Sequence, residues 1–347
     1  MGRINKMFNV KYKNMNKLSI LLVALVLMVC GCSSTNSKDK YQSSRNNVID
    51  VKDIIHEIST EEYSLSSMTL PIVANDYLVV GDYKATEMVM SIYDTEHFKY
   101  IKSFGPYGPG PNEYSHFGTM SWNKFTKELL VFDTGKLLLY SYNIDSVLND
   151  CDYNPTVKME LDTLQFPYDY NFVNDSIAYG AFVAIDGVNE FHKATGYINV
   201  NTGKSDIFDY KHPDISRTLF STAVHTSENL FAEVHNRHDL ISIFNLQGNL
   251  ITNVYGPKWD SDNLDCFWGC FFTKDYLIAE YDGNDYEDHI FPTKCFVFNL
   301  SGDYVATLET GYRIYRSCYD EKHNRIIFCF DDTIQLGYLE LDEIKFD

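Results

Sequence analysis

Ile243-Phe244-Asn245-Leu246-Gln247-Gly248-Asn249 and Val297-Phe298-Asn299-Leu300-Ser301-Gly302-Asp303 are two versions of one phrase: an apolar strand end, an Asn, and a Gly three residues on. Asn accepts hydrogen bonds from the backbone two or three residues ahead, and Gly supplies the left-handed backbone that a tight hairpin needs. Looser copies occur at Met90-Ser91-Ile92-Tyr93-Asp94, Leu139-Tyr140-Ser141-Tyr142-Asn143, Gly196-Tyr197-Ile198-Asn199 and Tyr338-Leu339-Glu340-Leu341-Asp342. With Tyr93, Tyr142, Ile198, Phe244, Phe298 and Leu339 taken as equivalent, the intervals are 49, 56, 46, 54 and 41 residues.

A second apolar strand, introduced by a polar turn, precedes each copy. Examples are Asp76-Tyr77-Leu78-Val79-Val80, Glu228-Asn229-Leu230-Phe231-Ala232 and Asn324-Arg325-Ile326-Ile327-Phe328. A third lies before each of those, as at Thr119 to Trp122 or Phe267 to Phe272. Four short strands per period of that length is the signature of a propeller blade. The expected fold is therefore all-β: a six-bladed β-propeller of four-stranded antiparallel blades. The 26 Tyr and 23 Phe residues suit packing between blades. Closing the ring removes open sheet edges. Val48-Ile49-Asp50-Val51 is the expected strand to pair with the last blade, and Val51 to Ser59 is alternatively a short helix plugging one face.

The amino terminus has a different character. Arg3, Lys6, Lys11, Lys13 and Lys17, with no acidic residue, precede an apolar run from Leu18 to Val29 and then Cys30-Gly31-Cys32. That run is about 12 residues, where a membrane-crossing helix needs roughly 20. It reads as a secretory signal peptide. Three segments follow from this: residues 1–31 as signal peptide, 32–46 as a flexible polar tether, and 47–347 as the propeller. Removing the first 31 residues removes five of the 29 basic residues and none of the 48 acidic ones, leaving a net charge of −24. So acidic a chain lacks the basic face that binding to nucleic-acid phosphates requires.

Val29-Cys30-Gly31 before Cys32 resembles the lipobox of bacterial lipoproteins, with Val where Leu is usual. The resemblance implies acylation at Cys32 and a membrane partner through that lipid anchor, at the cell envelope and on the outer membrane of a Gram-negative bacterium. Phe104-Gly105-Pro106-Tyr107-Gly108-Pro109-Gly110-Pro111-Asn112-Glu113-Tyr114 resembles a glycine-rich segment of TolB-like, NHL-like six-bladed propeller lipoproteins of Bacteroides-type bacteria. Asn112 stands where glycine is usual. The resemblance implies a link between the first and second blades on the ligand face, with Tyr107, Glu113 and Tyr114 near a pocket.

Inner strands line a propeller's channel, and Trp122, Asn171, His225, Trp268 and Arg316 are the expected channel residues. Aromatic walls with a few polar groups suit a glycan, peptide or protein ligand. The acidic loop containing Asp282, Asp285 and Glu287 has oxygen ligands suited to a divalent metal such as calcium, although Tyr286 departs from the EF-hand order. His235 and His238, with His225, form a second metal-ligand candidate set. No cofactor is assigned from these groups. Gly203-Lys204-Ser205 lacks the upstream glycine of a phosphate loop, and His56-Glu57 lacks a second histidine at Thr60. No catalytic residue is assigned. A metal-dependent hydrolase or lyase of the lactonase kind, sited in the channel, is the alternative to a binding role. Of the six cysteines after Cys32, buried free thiols are expected, with Cys266–Cys270 and Cys295–Cys329 as the alternative pairs.

Overall fold

The structure is a computed structural model that describes residues 39–161, 165–187, 190–215, 219–261 and 263–346. The segment expected to be a signal peptide, and Cys32, lie outside the described residues. Six antiparallel sheets form a ring. Blade 1 comprises Thr69–Ala74, Tyr77–Asp82, Met88–Asp94 and Tyr100–Pro106. Blade 2 comprises Phe117–Asn123, Glu128–Asp133, Leu138–Tyr142 and Thr156–Glu160. Blade 3 comprises Gln165–Phe172, Ile177–Gly187, Glu190–Asn199 and Ser205–Ile207. Blade 4 comprises Phe220–His225, Leu230–His235, Leu240–Asn245 and Leu250–Tyr255. Blade 5 comprises Leu264–Phe272, Tyr276–Asp285, Lys294–Asn299 and Tyr304–Glu309. Blade 6 takes only three strands from the carboxy terminus: Ile314–Asp320, Arg325–Phe330 and Leu336–Glu340.

The repeated Asn makes the outer hairpin of several blades. Asn245 Oδ1 accepts from the backbone N–H of Gln247 (3.1 Å) and Asn249 (3.0 Å), and Gly248 follows at φ +77°. Asn299 Oδ1 accepts from Ser301 (3.0 Å) and Asp303 (2.9 Å), with Gly302 at φ +86°. The register slips at Ile243/Phe244 and Val297/Phe298, as a bulge after such a turn requires. In blade 2 the equivalent Asn143 instead caps a short helix, Ile144–Asn149, by accepting from Ser146 N–H at 2.9 Å.

The core lies between blades. One cluster joins blades 1 and 2 through Val79, Ile92, Tyr114, Leu129 and Tyr140, and another joins blades 5 and 6 through Ile278, Val297, Ile326 and Phe328. Outside blade 3, the middle strands are buried on both faces along most of their length, which explains their continuous apolar runs.

The amino-terminal segment corrects two expectations. Val48–Asp50 does not pair with the last blade. It runs parallel to Tyr304–Glu309 on the outer edge of blade 5, and His56–Ile58 pairs with Leu336–Glu340 to complete blade 6. The 3-10 turn Lys52–Ile54 carries the chain from one blade to the next, with Val51 fully buried between them. Apolar patterning could not separate these two short strands. Residues 39–46 also belong to the folded body rather than to a flexible tether. Asp39–Tyr41 adds a parallel strand to the edge of blade 4, and Arg45 is buried against Asp239 at 2.6 Å. The six cysteines after Cys32 are all free thiols.

Candidate ligand site at the channel mouth

In each blade the outer-to-inner links and the middle hairpins leave from one face, and the inner strands begin there. At this face a set of aromatic and charged side chains gathers around the channel. Tyr83 follows the second strand of blade 1. Its ring lies 6.3 Å from Tyr315 of blade 6, edge-on. Tyr315 meets Phe291 of blade 5 at 5.5 Å, and Phe291 meets Trp268 of the same blade at 4.9 Å. On the blade 3 side, Lys193 Nζ sits 4.3 Å over the ring of Tyr168 and donates to the carbonyl of Phe220 in blade 4 at 3.0 Å. Tyr168 remains 45% exposed and Tyr83 37%.

Polar groups staple neighbouring blades around this mouth. Asp169 Oδ2 of blade 3 accepts from the backbone N–H (3.0 Å) and hydroxyl (3.2 Å) of Thr222 in blade 4. Ser221 donates to the carbonyl of Trp268 at 2.9 Å. Glu280 Oε1 of blade 5 accepts from Ser317 of blade 6 at 2.6 Å. Burial raises the Glu280 pKa, opposed by the Arg316 charge and the Ser317 hydrogen bond. Burial works against the charge of Arg316, but Glu280 together with Tyr83, Tyr315 and Tyr168 outweighs it and the guanidinium pKa is raised. Lys193 goes the other way. Desolvation lowers it to about 8, with Asp169 opposing and Arg316 assisting.

Three groups here have bonding capacity to spare, one of them Glu280 Oε2, which is buried and meets no donor among the described residues. The buried Trp268 Nε1–H meets no acceptor among the described residues. Arg316 spends one N–H on the carbonyl of Tyr315 (2.8 Å) and forms no ion pair within 4.0 Å among the described residues. Arg45, Arg237, Arg313 and Arg325 all form such pairs. An unpaired guanidinium among aromatic rings is an arrangement suited to a ligand's oxygen atoms.

Of the residues expected from sequence, Trp268 and Arg316 share this mouth. His225 does not. It sits at the opposite end of its strand, paired with Leu230, and contacts the Lys274 carbonyl (3.1 Å) and Ser227 (3.2 Å). Phe220, at the other end, faces His235, so His225 cannot join His235 and His238 in one metal site. Asn171 is half-buried towards the far end of the blade 3 inner strand, and Trp122 packs against the core between blades 1 and 2.

The glycine-rich link turns its last tyrosine inward while Tyr107, Pro109, Pro111 and Asn112 stay exposed. Tyr114 is fully buried, 5.4 Å from Tyr140 and 6.0 Å from Phe117. Glu113 folds back to accept from Gly110 N–H at 2.7 Å, and a Cβ on Gly110 would sit 2.8 Å from its carboxylate. These two residues brace the link and reach no pocket; of the three expected near a pocket, Tyr107 is the exposed one, at 50%.

The acidic loop does not converge. Asp285 Oδ1 caps its own turn by accepting from Glu287 N–H at 3.0 Å, while Asp282 is buried and accepts from Asn284 at 2.5 Å. Among the described residues, the group of three metal-ligating side chains within 4.8 Å is Asp150, Cys151 and Asp152. All three are exposed, and Asp150 Oδ1 accepts from Asp152 N–H at 2.9 Å. They border a cavity of about 340 Å³ between blades 1 and 2, away from the channel.

Sequence reading missed Tyr83, Tyr168, Asp169, Lys193, Glu280, Phe291 and Tyr315. A usable signal was present for Glu280, a lone charge inside the apolar strand Leu277-Ile278-Ala279-Glu280-Tyr281. The tyrosines carried none, because Tyr is common throughout the chain.

No family model matches the chain, and no curated protein matches it. Solved structures do. An exported protein from Bacteroides fragilis is similar over 84% of this chain and 88% of its own, at 11% identity and a TM-score of 0.55. A member of the DUF4221 family from Bacteroides vulgatus is similar over 85% and 98%, at 13% identity and a TM-score of 0.53. U3-55K is similar over 83% and 99%, at 10% identity and a TM-score of 0.55. Likeness at such low identity speaks for the fold alone, and the fold is a six-bladed β-propeller.

Proposed function

We propose that this chain is a cell-envelope lipoprotein whose propeller binds a ligand at the channel mouth. One observation carries the binding reading: Arg316, with no carboxylate within 4.0 Å among the described residues, lies 5.2 Å from the ring centre of Tyr315, in the same mouth as the partly exposed Tyr83 and Tyr168 and the unsatisfied Trp268 indole. Aromatic walls with a few oriented donors are the usual make-up of a ligand site, and such groups serve no evident packing purpose unfilled. A metal-dependent hydrolase in the channel would need three or four ligands converging on the axis. No such His, Cys, Asp or Glu set lies there among the described residues, so the geometry favours binding.

The anchoring part rests on Cys32 and the basic, apolar leader before it. The exported neighbour from Bacteroides fragilis is consistent with that placement, as is the resemblance of the glycine-rich link to TolB-like, NHL-like lipoproteins. Several acyl chains on one cysteine hold a protein stably where a single chain is marginal. Palmitate labelling in cells is expected to mark the wild-type protein and to be lost in Cys32→Ser. For binding, thermal-shift screening of purified Cys32→Ser protein against glycans and peptides is expected to give ligands whose effect Trp268→Phe weakens. A full panel with no stabilising compound would count against the reading.

A further inference from the structure

We propose that the outer rim of blades 4 and 5 rests against the lipid bilayer, with Tyr41 seated among the headgroups, so that the ring stands on edge and its channel mouth opens sideways. This rests on the anchoring reading above and gives the anchored protein its bearing. Chain length sets the first limit. Six residues, Ser33 to Lys38, separate Cys32 from Asp39, where the chain joins blade 4 as an edge strand. Fully extended, such a link reaches at most about 25 Å. A lipid on Cys32 therefore holds blade 4 close to the membrane by its outer edge, and blade 1, three places round the ring, is turned away.

The rim there carries the surface such a contact needs. Tyr41 and Val48 are the two most exposed large apolar side chains among the described residues, at 66% and 58%, and both lie on the amino-terminal strap, residues 39–58. Ile251, also exposed, sits on Leu250–Tyr255, the strand to which Asp39–Tyr41 pairs. Tyr41 has a firm backing. Its ring stacks on Tyr255 at 4.6 Å and 8°, and Tyr255 in turn meets the Trp259 ring at 4.8 Å and bonds His212 at 2.8 Å. Tyrosine suits the headgroup layer, because its ring is apolar while its hydroxyl stays wet. The cations beside it are already matched: Lys40 pairs with Asp303 at 2.7 Å and Arg45 with Asp239 at 2.6 Å. A chain that carries −24 without its leader gains nothing from anionic lipid, so the contact is apolar rather than electrostatic. The edge strand also needs a cover, since its outward N–H and C=O groups are a template for another chain.

The test compares lipidated wild-type protein in phosphatidylcholine nanodiscs with soluble Cys32→Ser protein by hydroxyl-radical footprinting, read residue by residue in a mass spectrometer. Oxidation of Tyr41 is expected to fall about fivefold on the nanodisc, and that of Val48 and Ile251 to fall with it. Tyr107 and Val157, exposed beside blade 1 and on blade 2, should keep their rates. Tyr41→Ser should restore oxidation at Val48 and Ile251, and Tyr41→Phe should not. The protection is expected to survive high salt; its release by salt would make the contact electrostatic and overturn the apolar account. Unchanged rates at Tyr41, in protein that still takes up palmitate, would overturn the proposal and spare the anchoring. Protection centred on Tyr107 or Val157 would do the same. Slow oxidation of Tyr41 in the soluble protein, slower still at higher concentration, would give the edge to a second copy of this chain and overturn it too. A chain without palmitate at Cys32 would remove both readings.

Discussion

Glu233 and His235 lie two residues apart on the second strand of blade 4, both buried, with His235 Nε2 3.9 Å from Glu233 Oε2. In water they would form an ion pair. Burial favours the neutral form of each instead: it raises Glu233 from 4.5 to about 7, against the Thr195 hydroxyl that donates to it. Burial also lowers His235 from 6.5 to about 3, helped by the charges of His212 and His238. The signs differ. A carboxyl raised on folding gives stability that is lost as pH climbs towards about 7, and a histidine lowered on folding gives stability that is lost as pH falls from about 6.5. Comparing Glu233→Gln with wild type isolates the first. The variant's relative stability should grow as pH rises from about 4.5 to about 7, by no more than about 1.4 kcal/mol per pH unit, and stay level above. Urea unfolding at pH 5, 6, 7 and 8 measures this. A difference independent of pH would show that Glu233 is ionised in the fold.

At the level of elements, the amino-terminal strap distinguishes this propeller. Asp39–Tyr41 and Val48–Asp50 extend blades 4 and 5 to five strands, and between them Arg45 pairs with Asp239 while lying 4.5 Å from the ring centre of Phe296 and 5.3 Å from that of Phe298. Removing one member of a buried pair strands the other's charge. Arg45→Gln should therefore cost about 3 kcal/mol in unfolding free energy, measured by denaturant titration. A loss under about 1 kcal/mol would mean that the strap is not fastened there. The blades were legible because Asn245–Gly248 and Asn299–Gly302 write their turns chemically, and the strands between alternate with those turns. The strap was not. Lys40, Gln42, Ser43, Ser44, Arg45 and Asn46 are polar, and their order comes from edges and pockets that only the finished blades provide.

At the scale of the whole molecule, the ring is joined where His56–Ile58 meets Leu336–Glu340, with Ile58 opposite Leu336 and Tyr338 opposite His56. Ile58→Pro removes a donor and a buried side chain from that seam, and should cost several kcal/mol. Circular dichroism during heating is expected to show a markedly lower melting point; an unchanged one would mean the seam is dispensable. The site was half legible for a related reason. Trp268 and Arg316 stand out as rare residue types on inner strands, whereas Lys193 and Tyr83 come to the mouth from middle strands and hairpins, whose neighbours are set by ring geometry rather than by sequence distance. The seam also sets a schedule. Residues 56–58 leave the ribosome, and cross a membrane if the leader acts as proposed, long before residues 336–340 exist to receive them. Until then the first blade's neighbour is missing and the last sheet has no rim, so chaperones and proteases of the envelope would meet an unsealed chain throughout its delivery.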